Sequence, residues 1–410
     1  MTTVALVEGS RHAAPLHFDT EQFHEAESTT SAIIPPSPPK GSQYEESINS
    51  PAEKSQEKEL VVTPIHTYLY NMIEIGIVRT LFDRHVFDAI PVDGDISIGD
   101  LAVKTGVEVT LLKRFIQFLT LAKCLASTAV DRVAHTQKSR VFLYPEAVNF
   151  LSLDVDFFMG PATRWSDYFE ANGWKEPESS KRTPLGLCYN HPETSIYDVM
   201  PLLPGKRAAV FNAAMADTLN EMKVVGYYDF SWIAKQVEND PKRTLIVDVG
   251  GGKGQALKAI IQENPTIPPQ RCVLQDQATA INEAISEDDA IIKDIPKIIS
   301  SFFEPQLIKG SLVYHIRRIL NDYPDKEARA ILQQCRDACA DDSTVLVSEQ
   351  VLPDAPSLDL AAMDIFMMNY GGKRRTRAMF AELASSAGFK VAGIATDNLS
   401  GQAIIEMVPI

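Results

Sequence analysis

The stretch Thr244–Gly254, Thr-Leu-Ile-Val-Asp-Val-Gly-Gly-Gly-Lys-Gly, constrains the fold more than any other part of the chain. A short run of β-branched and apolar residues suits a strand buried on both faces, and a cluster of four glycines directly after it forces a tight turn into a helix starting near Lys253. Glycines let backbone approach a ligand closely, and a helix start presents unpaired N–H groups and a positive dipole end. Such a turn serves a nucleotide-like ligand, a dinucleotide or a purely structural role, so alone it leaves the ligand open.

Downstream, segments of strand and helix character alternate: Leu245–Val249, Cys272–Leu274, Leu312–Ile316, Val345–Val347 and Ile404–Glu406, with helices between them. This order predicts an α/β domain with a mostly parallel sheet over residues 236–410, its ligands at the C-terminal ends of the strands. Asp276 closes the second strand about twenty residues after the glycines, the spacing of an acid that binds ribose hydroxyls; a solvated helix cap is the plainer alternative.

Upstream, residues 1–55 are rich in Ser, Thr, Glu and Pro without periodicity, which predicts a disordered tail. Val61, Ile65, Leu69, Met72, Ile73, Ile77 and Leu81 recur at helical spacing. The strand, helix, turn and helix pattern from Ile96 to Ile116 predicts a winged-helix module within residues 56–150. Without an Arg- and Lys-rich recognition helix, packing or dimerisation is its expected role. Residues 151–235 read as mostly helical, with Phe157, Phe158, Trp165, Tyr168, Phe169 and Trp174 expected mainly in the core.

A net charge of -15 over 410 residues argues against nucleic-acid and anionic-membrane partners. Five scattered cysteines without a Cys-x-x-Cys pair indicate neither a disulfide framework nor a metal site. No apolar run approaches the ~20 residues that span a bilayer, so a cytoplasmic protein is expected.

The segments Asp248–Gly254, Leu274–Asp276, Phe302–Gln306, Arg317–Asp325, Ser348–Pro353 and Gly371–Thr376, in this order, resemble the fungal and plant class I O-methyltransferases, which use S-adenosylmethionine (SAM). The resemblance covers roughly Leu60 to Ile410. It implies a Rossmann-like SAM-binding domain, a winged-helix dimerisation domain and a homodimer acting on a small natural-product intermediate. It places Asp248, Gly250, Gly252, Asp276, Ser301, Phe302 and Arg317 at the cofactor, and Phe211, Met215, Arg318, Ile365 and Asn369 at the substrate.

The departures from the family pattern carry as much weight as the match. Asn321 stands where the family has a catalytic His, and an amide cannot take a proton at neutral pH. Glu349 keeps one of the two glutamates that orient that His, whereas Arg374 reverses the charge of the other. Ser301 replaces an Asp that helps hold adenosine. A site that has lost its base but carries donors at Asn321 and Arg374, beside Asp322, suits a pericyclic ring closure. The chain accordingly resembles the O-methyltransferase-like pericyclases of 2-pyridone alkaloid pathways, in which SAM is not a methyl donor. A methyltransferase acting on an acidic phenol or enol is the second expectation, and an inactive dimer partner the third. His315, on the strand before Asn321, reads as a packed residue.

Overall fold

A computed structural model of the chain describes residues 63–221, 223–236, 240–397 and 401–410. The tail over residues 1–55 expected from composition lies outside the described residues, as does the start of the first helix at Leu60 and Val61.

The first helix runs Pro64–Phe82, with proline at its first position, where the missing N–H has no partner to lose. Ile77 and Leu81 of the predicted stripe are buried, while Ile65, Leu69 and Met72 remain exposed on this single chain. Helix Ile98–Thr105 begins where the Ser97 hydroxyl accepts from the Asp100 N–H at 3.0 Å and stops at Gly106. Helix Val109–Leu121 is capped by Glu108, whose carboxylate accepts from Thr110 N and Leu111 N. A hairpin of Leu125–Ala129 and Arg132–His135 follows, and Ile96–Ser97 pairs with its second strand to complete a three-stranded wing. Leu101, Leu112, Ile116, Leu119 and Val133 form part of its core.

The middle of the chain is helical, as expected. It includes a π-helical stretch, Asp154–Met159, that faces Phe157 to Phe211 and stacks Phe158 on Phe366.

The C-terminal sheet comprises β1 (Ile246–Val249), β2 (Cys272–Asp276), β3 (Lys297–Ile299), β4 (Val313–Arg317), β5 (Thr344–Leu352), β6 (Phe389–Thr396) and β7 (Gln402–Pro409). Their spatial order is β6-β7-β5-β4-β1-β2-β3. Strands β3 to β5 in this order run parallel, and β7 joins β5 antiparallel, with β6 antiparallel to β7. Arg375–Thr376 adds a short parallel pairing to the end of β5.

Alternate residues face opposite layers. Val247, Val249, Tyr314, Ile316, Val345 and Val347 meet one layer of helices, and Ile246, Leu274, Val313 and Leu346 meet the other. Burial on both faces explains why β1 and β4 read as continuous apolar runs. Chain order reverses between β1 and β4, and in open α/β sheets the carboxyl ends of the strands at such a reversal receive the ligand. Among the described residues, no helix is long and apolar enough to cross a membrane.

Candidate active site

The glycine turn leaves β1 at Val249 and enters helix Gln255–Glu263, two residues later than the sequence suggests. Gly250 has φ 68°, and a side chain there would run into Ile319 and Phe302. A Cβ on Gly251 would collide with the Asp248 carboxylate and Leu274. Backbone N–H groups of Gly250 and Gly251 donate to Gln275 O at 2.8 and 3.1 Å, fastening the turn to β2.

Asp276 lies where the spacing predicts, at the end of β2 beside the turn. Its Oδ2 accepts from Gly252 N at 2.7 Å and its Oδ1 from Gln277 N at 2.6 Å. Each oxygen keeps a second lone pair for a ribose hydroxyl. Burial pushes this carboxyl up, opposed by the two backbone donors. Phe302 borders the turn and packs edge-on against Tyr323, with ring centroids 5.7 Å apart. The Ser301 hydroxyl is spent locally, accepting from Phe303 N at 3.2 Å. At the end of β4, burial and the neighbouring Arg318 pull Arg317 down, while Asp248 favours its charge.

Beyond the end of β4, the turn Leu320–Asp322 carries Asn321, which is buried. Glu349, from β5 and 1% exposed, accepts from Ile319 N at 2.9 Å and Asn321 N at 3.4 Å through Oε1, and from Asn321 Nδ2 at 2.5 Å through Oε2. The carboxylate therefore fixes which way the amide points. Asn321 gives one of its two amide N–H groups to Glu349 and keeps the second, and its carbonyl Oδ1 is buried without a partner. Burial and the nearby Asp322 push Glu349 up to about 7, against the backbone donors and Arg374.

Arg374 is held through its backbone N–H, which donates to Asp364 Oδ1 at 2.7 Å. It is no surface ion pair: its Nε is buried and unpartnered, burial and then Arg318 disfavour its charge, and Glu349, Asp322 and Asp364 favour it. Arg318 adopts φ 55°, a left-handed conformation unusual for a residue with a side chain, and its N–H donates to Ser348 O at 3.0 Å. Asp322 Oδ2 accepts from the Tyr197 hydroxyl at 2.6 Å; burial raises the carboxyl, and Tyr197, Arg318 and Arg374 oppose that rise.

Of the residues expected at the substrate, Phe211 packs on Phe157 at 5.3 Å between centroids, Met215 is half-buried beside the same core, and Ile365 is exposed. Asn369 is fully buried, its Oδ1 accepts from Trp165 Nε1 at 2.8 Å, and its Nδ2 donates to Phe157 O at 3.4 Å; these bonds brace the wall, and each end of the amide keeps one further hydrogen-bonding position.

Two residues that the sequence reading did not single out belong to this site. Arg375, fully buried, donates from Nη1 to Leu320 O at 2.7 Å, from Nη2 to Tyr323 O at 2.8 Å and from Nε to Asp325 Oδ1 at 2.9 Å. It pins both ends of the Asn321 turn, and Lys373 N adds a bond to Asn321 O at 2.9 Å. Tyr370 keeps a buried hydroxyl without a partner, within the electrostatic reach of Asp322. Arg375 was discoverable from its Lys-Arg-Arg-Thr setting; Tyr370 had no such signal.

These features define a SAM-dependent methyltransferase fold, and comparison with known proteins places it. A family model for the O-methyltransferase domain matches residues 205–390. Methyltransferase eqxD of Fusarium heterosporum is 48% identical over 348 residues, covering 85% of this chain and 96% of its own length. Methyltransferase pvhD of Talaromyces variabilis is 43% identical, covering 84% and 96%. The chain belongs to the class I O-methyltransferase family.

Among solved structures, OxaC in complex with SAH and oxaline superposes with a TM-score of 0.73 at 22% identity, covering 84% of this chain and 87% of its own. LepI in complex with SAM gives 0.68 at 20% identity, covering 85% and 90%. At these identities the likeness is one of fold.

The residues present fit SAM: the glycine cradle has no room for side chains, Asp276 retains acceptor capacity, and Asp248 Oδ2 is buried beside Gly251 without a partner.

Proposed function

We propose that the chain is a SAM-dependent methyltransferase whose acceptor is an acidic enol or phenol of fungal secondary metabolism, bound as its anion. The observation that carries this reading is Arg374, whose Nε is buried without a partner next to Lys373, the residue whose N–H donates to Asn321 O where Asn321 replaces the base. When bound at the glycine turn and Asp276, SAM would supply an electrophilic methyl group for the acceptor anion. An acceptor already ionised in solution has no proton to surrender, so the general base, worth about 10²–10⁴-fold elsewhere, is not needed. Arg374, with its unsatisfied Nε, and Arg318 supply cationic donors for the anion, and Asn321 Oδ1 accepts from a neighbouring N–H or O–H of the acceptor. Relatives 43–48% identical over nearly their whole length carry the name methyltransferase, which supports methyl transfer.

Incubation with SAM and matched acceptors tests this. Cyclic 1,3-dicarbonyl enols and nitrophenols, ionised at pH 7, should yield S-adenosylhomocysteine (SAH), and unactivated phenols should not. Equal rates for both groups, or none for either, would refute it.

The second reading is the pericyclase of a polyene 2-pyridone-like substrate. The Asn321 and Arg374 replacements favour it, and a solved structure titled a pericyclic reaction enzyme shares the fold. It ranks behind methyl transfer because that likeness stands at 20% identity. Under it, a dehydratable polyene alcohol would cyclise with altered product ratio in the protein's presence while SAH stayed absent.

A further inference from the structure

Beneath the glycine turn sits a pair of side chains that the proposed reaction does not use. Asp248 on β1 and His315 on β4 lie opposite each other in the parallel register. Both are at most 1% exposed, and His315 Nδ1 lies 2.8 Å from Asp248 Oδ1. A carboxylate only accepts, so the proton between them sits on Nδ1. The remaining atoms of the pair, Asp248 Oδ2 and His315 Nε2, are buried without partners.

A buried carboxylate oxygen without a partner is costly and calls for an occupant. Its location says which. Oδ2 lies under Gly251, at the floor of the cradle, where a Cβ would strike it. Asp276 marks the ribose end of the cradle, at β2. A cofactor with its ribose there would extend its other end along the turn toward the carboxyl ends of β1 and β4, the strands that carry the Asp248–His315 pair. In SAM and SAH that other end is an amino acid with a cationic α-ammonium.

We propose that His315 is a positioning residue for the cofactor: by donating from Nδ1 to Oδ1 of Asp248 it fixes the direction of that carboxylate and aims Oδ2 at the α-ammonium of SAM. Without the imidazole, neither oxygen of Asp248 would have a side-chain partner to hold its direction. The ammonium would then lose an aligned acceptor. The adenosine half, held by the glycines and Asp276, would be untouched. The inference rests on the cofactor half of the proposed function and is independent of the methyl acceptor.

Titration calorimetry with SAH and with 5′-deoxy-5′-methylthioadenosine, which lacks the amino-acid end, tests it. His315→Leu should weaken SAH at least tenfold, about 1.4 kcal/mol, and leave methylthioadenosine within about twofold of wild type. His315→Gln, whose amide reaches the Nε2 position and not Nδ1, should behave like Leu and keeps the test available if Leu fails to fold. His315→Asn, whose Nδ2 overlies Nδ1, should recover most of the affinity. Wild-type SAH binding in the folded Leu or Gln variant would overturn the proposal, as would equal losses for both ligands, which would make His315 a support of the fold alone. Wild-type protein that binds no SAH would sink the cofactor reading itself, a distinct outcome.

Discussion

Replacing Glu349 by Gln isolates the most perturbed carboxyl of the site. In the folded chain burial lifts this group from 4.5 to about 7. The folded state therefore holds a proton that the unfolded state releases between those values. The sign follows directly: stability is greatest below pH 4.5 with respect to this group, falls as pH rises, and levels off above 7. Between pH 5.5 and 8 the loss is ~2 kcal/mol for a shift of this size. Gln removes the titration and keeps the shape; its amide can pair with Asn321 once that side chain turns over, since Asn321 Oδ1 is otherwise unpartnered. Urea unfolding of both proteins at pH 5.5 and 8, followed by tryptophan fluorescence, measures the difference. Wild type should lose ~2 kcal/mol relative to the Gln variant on going to pH 8. Parallel pH profiles would show that Glu349 ionises normally and that the burial argument fails.

The other predictions concern the two arginines, the missing base and the cradle. Arg374→Gln should raise KM for an ionised acceptor at least tenfold while SAH affinity, by calorimetry, stays at the wild-type value. Arg375→Met removes the guanidinium bonds to Leu320 O and Tyr323 O, leaving Leu320 O only the Tyr323 N–H, and should cost ~2–4 kcal/mol in urea unfolding; a loss below ~1 kcal/mol would mean the Asn321 turn does not depend on it. Asn321→His should extend SAH production to unactivated phenols, the acceptors that need a base, and failure to do so in a folded protein would count against base loss as the origin of acceptor choice. Asp276→Ala removes the Gly252 anchor and the ribose acceptor together and should weaken SAH and methylthioadenosine alike, in contrast to the His315 variants.

What could be read in the sequence was whatever short-range pattern determines. The glycine turn, Asp276 and the apolar runs of β1 and β4 fix their own conformation, and their positions follow from chain order. The strands β3 and β6 gave weaker signals: β3 has three residues, and β6 is half-exposed along most of its length. The chemistry of side-chain amides escaped for a different reason. Asn321 and Asn369 are the same residue type, yet one leaves its carbonyl oxygen buried without a partner and the other has both ends bonded, to Trp165 and Phe157. Which end of an amide is free depends on partners 28 and 204 residues away in the chain, and no local pattern encodes that. His315 reads as packing in sequence because Asp248, its partner, is a neighbour only across the sheet.

The exchange of His for Asn and of Glu for Arg is best weighed in energy. Losing a general base costs about 10²–10⁴-fold, or ~3–5 kcal/mol. Reversing one charge near a bound anion turns a repulsion into an attraction, and at an effective dielectric of about 20 a unit charge pair 4 Å apart is worth ~4 kcal/mol. The attraction alone matches the loss of the base, and the full reversal, ~8 kcal/mol, exceeds it. For a neutral acceptor only the loss applies, and the enzyme should be slow. For an anionic acceptor the loss vanishes, because its proton is already gone, and the gain from Arg374 remains, with Glu349 near neutrality opposing it less than a fully ionised carboxylate would. Acceptor acidity is therefore the variable on which this site should discriminate, and a plot of log kcat/KM against acceptor pKa should show the rate falling once the pKa passes the assay pH.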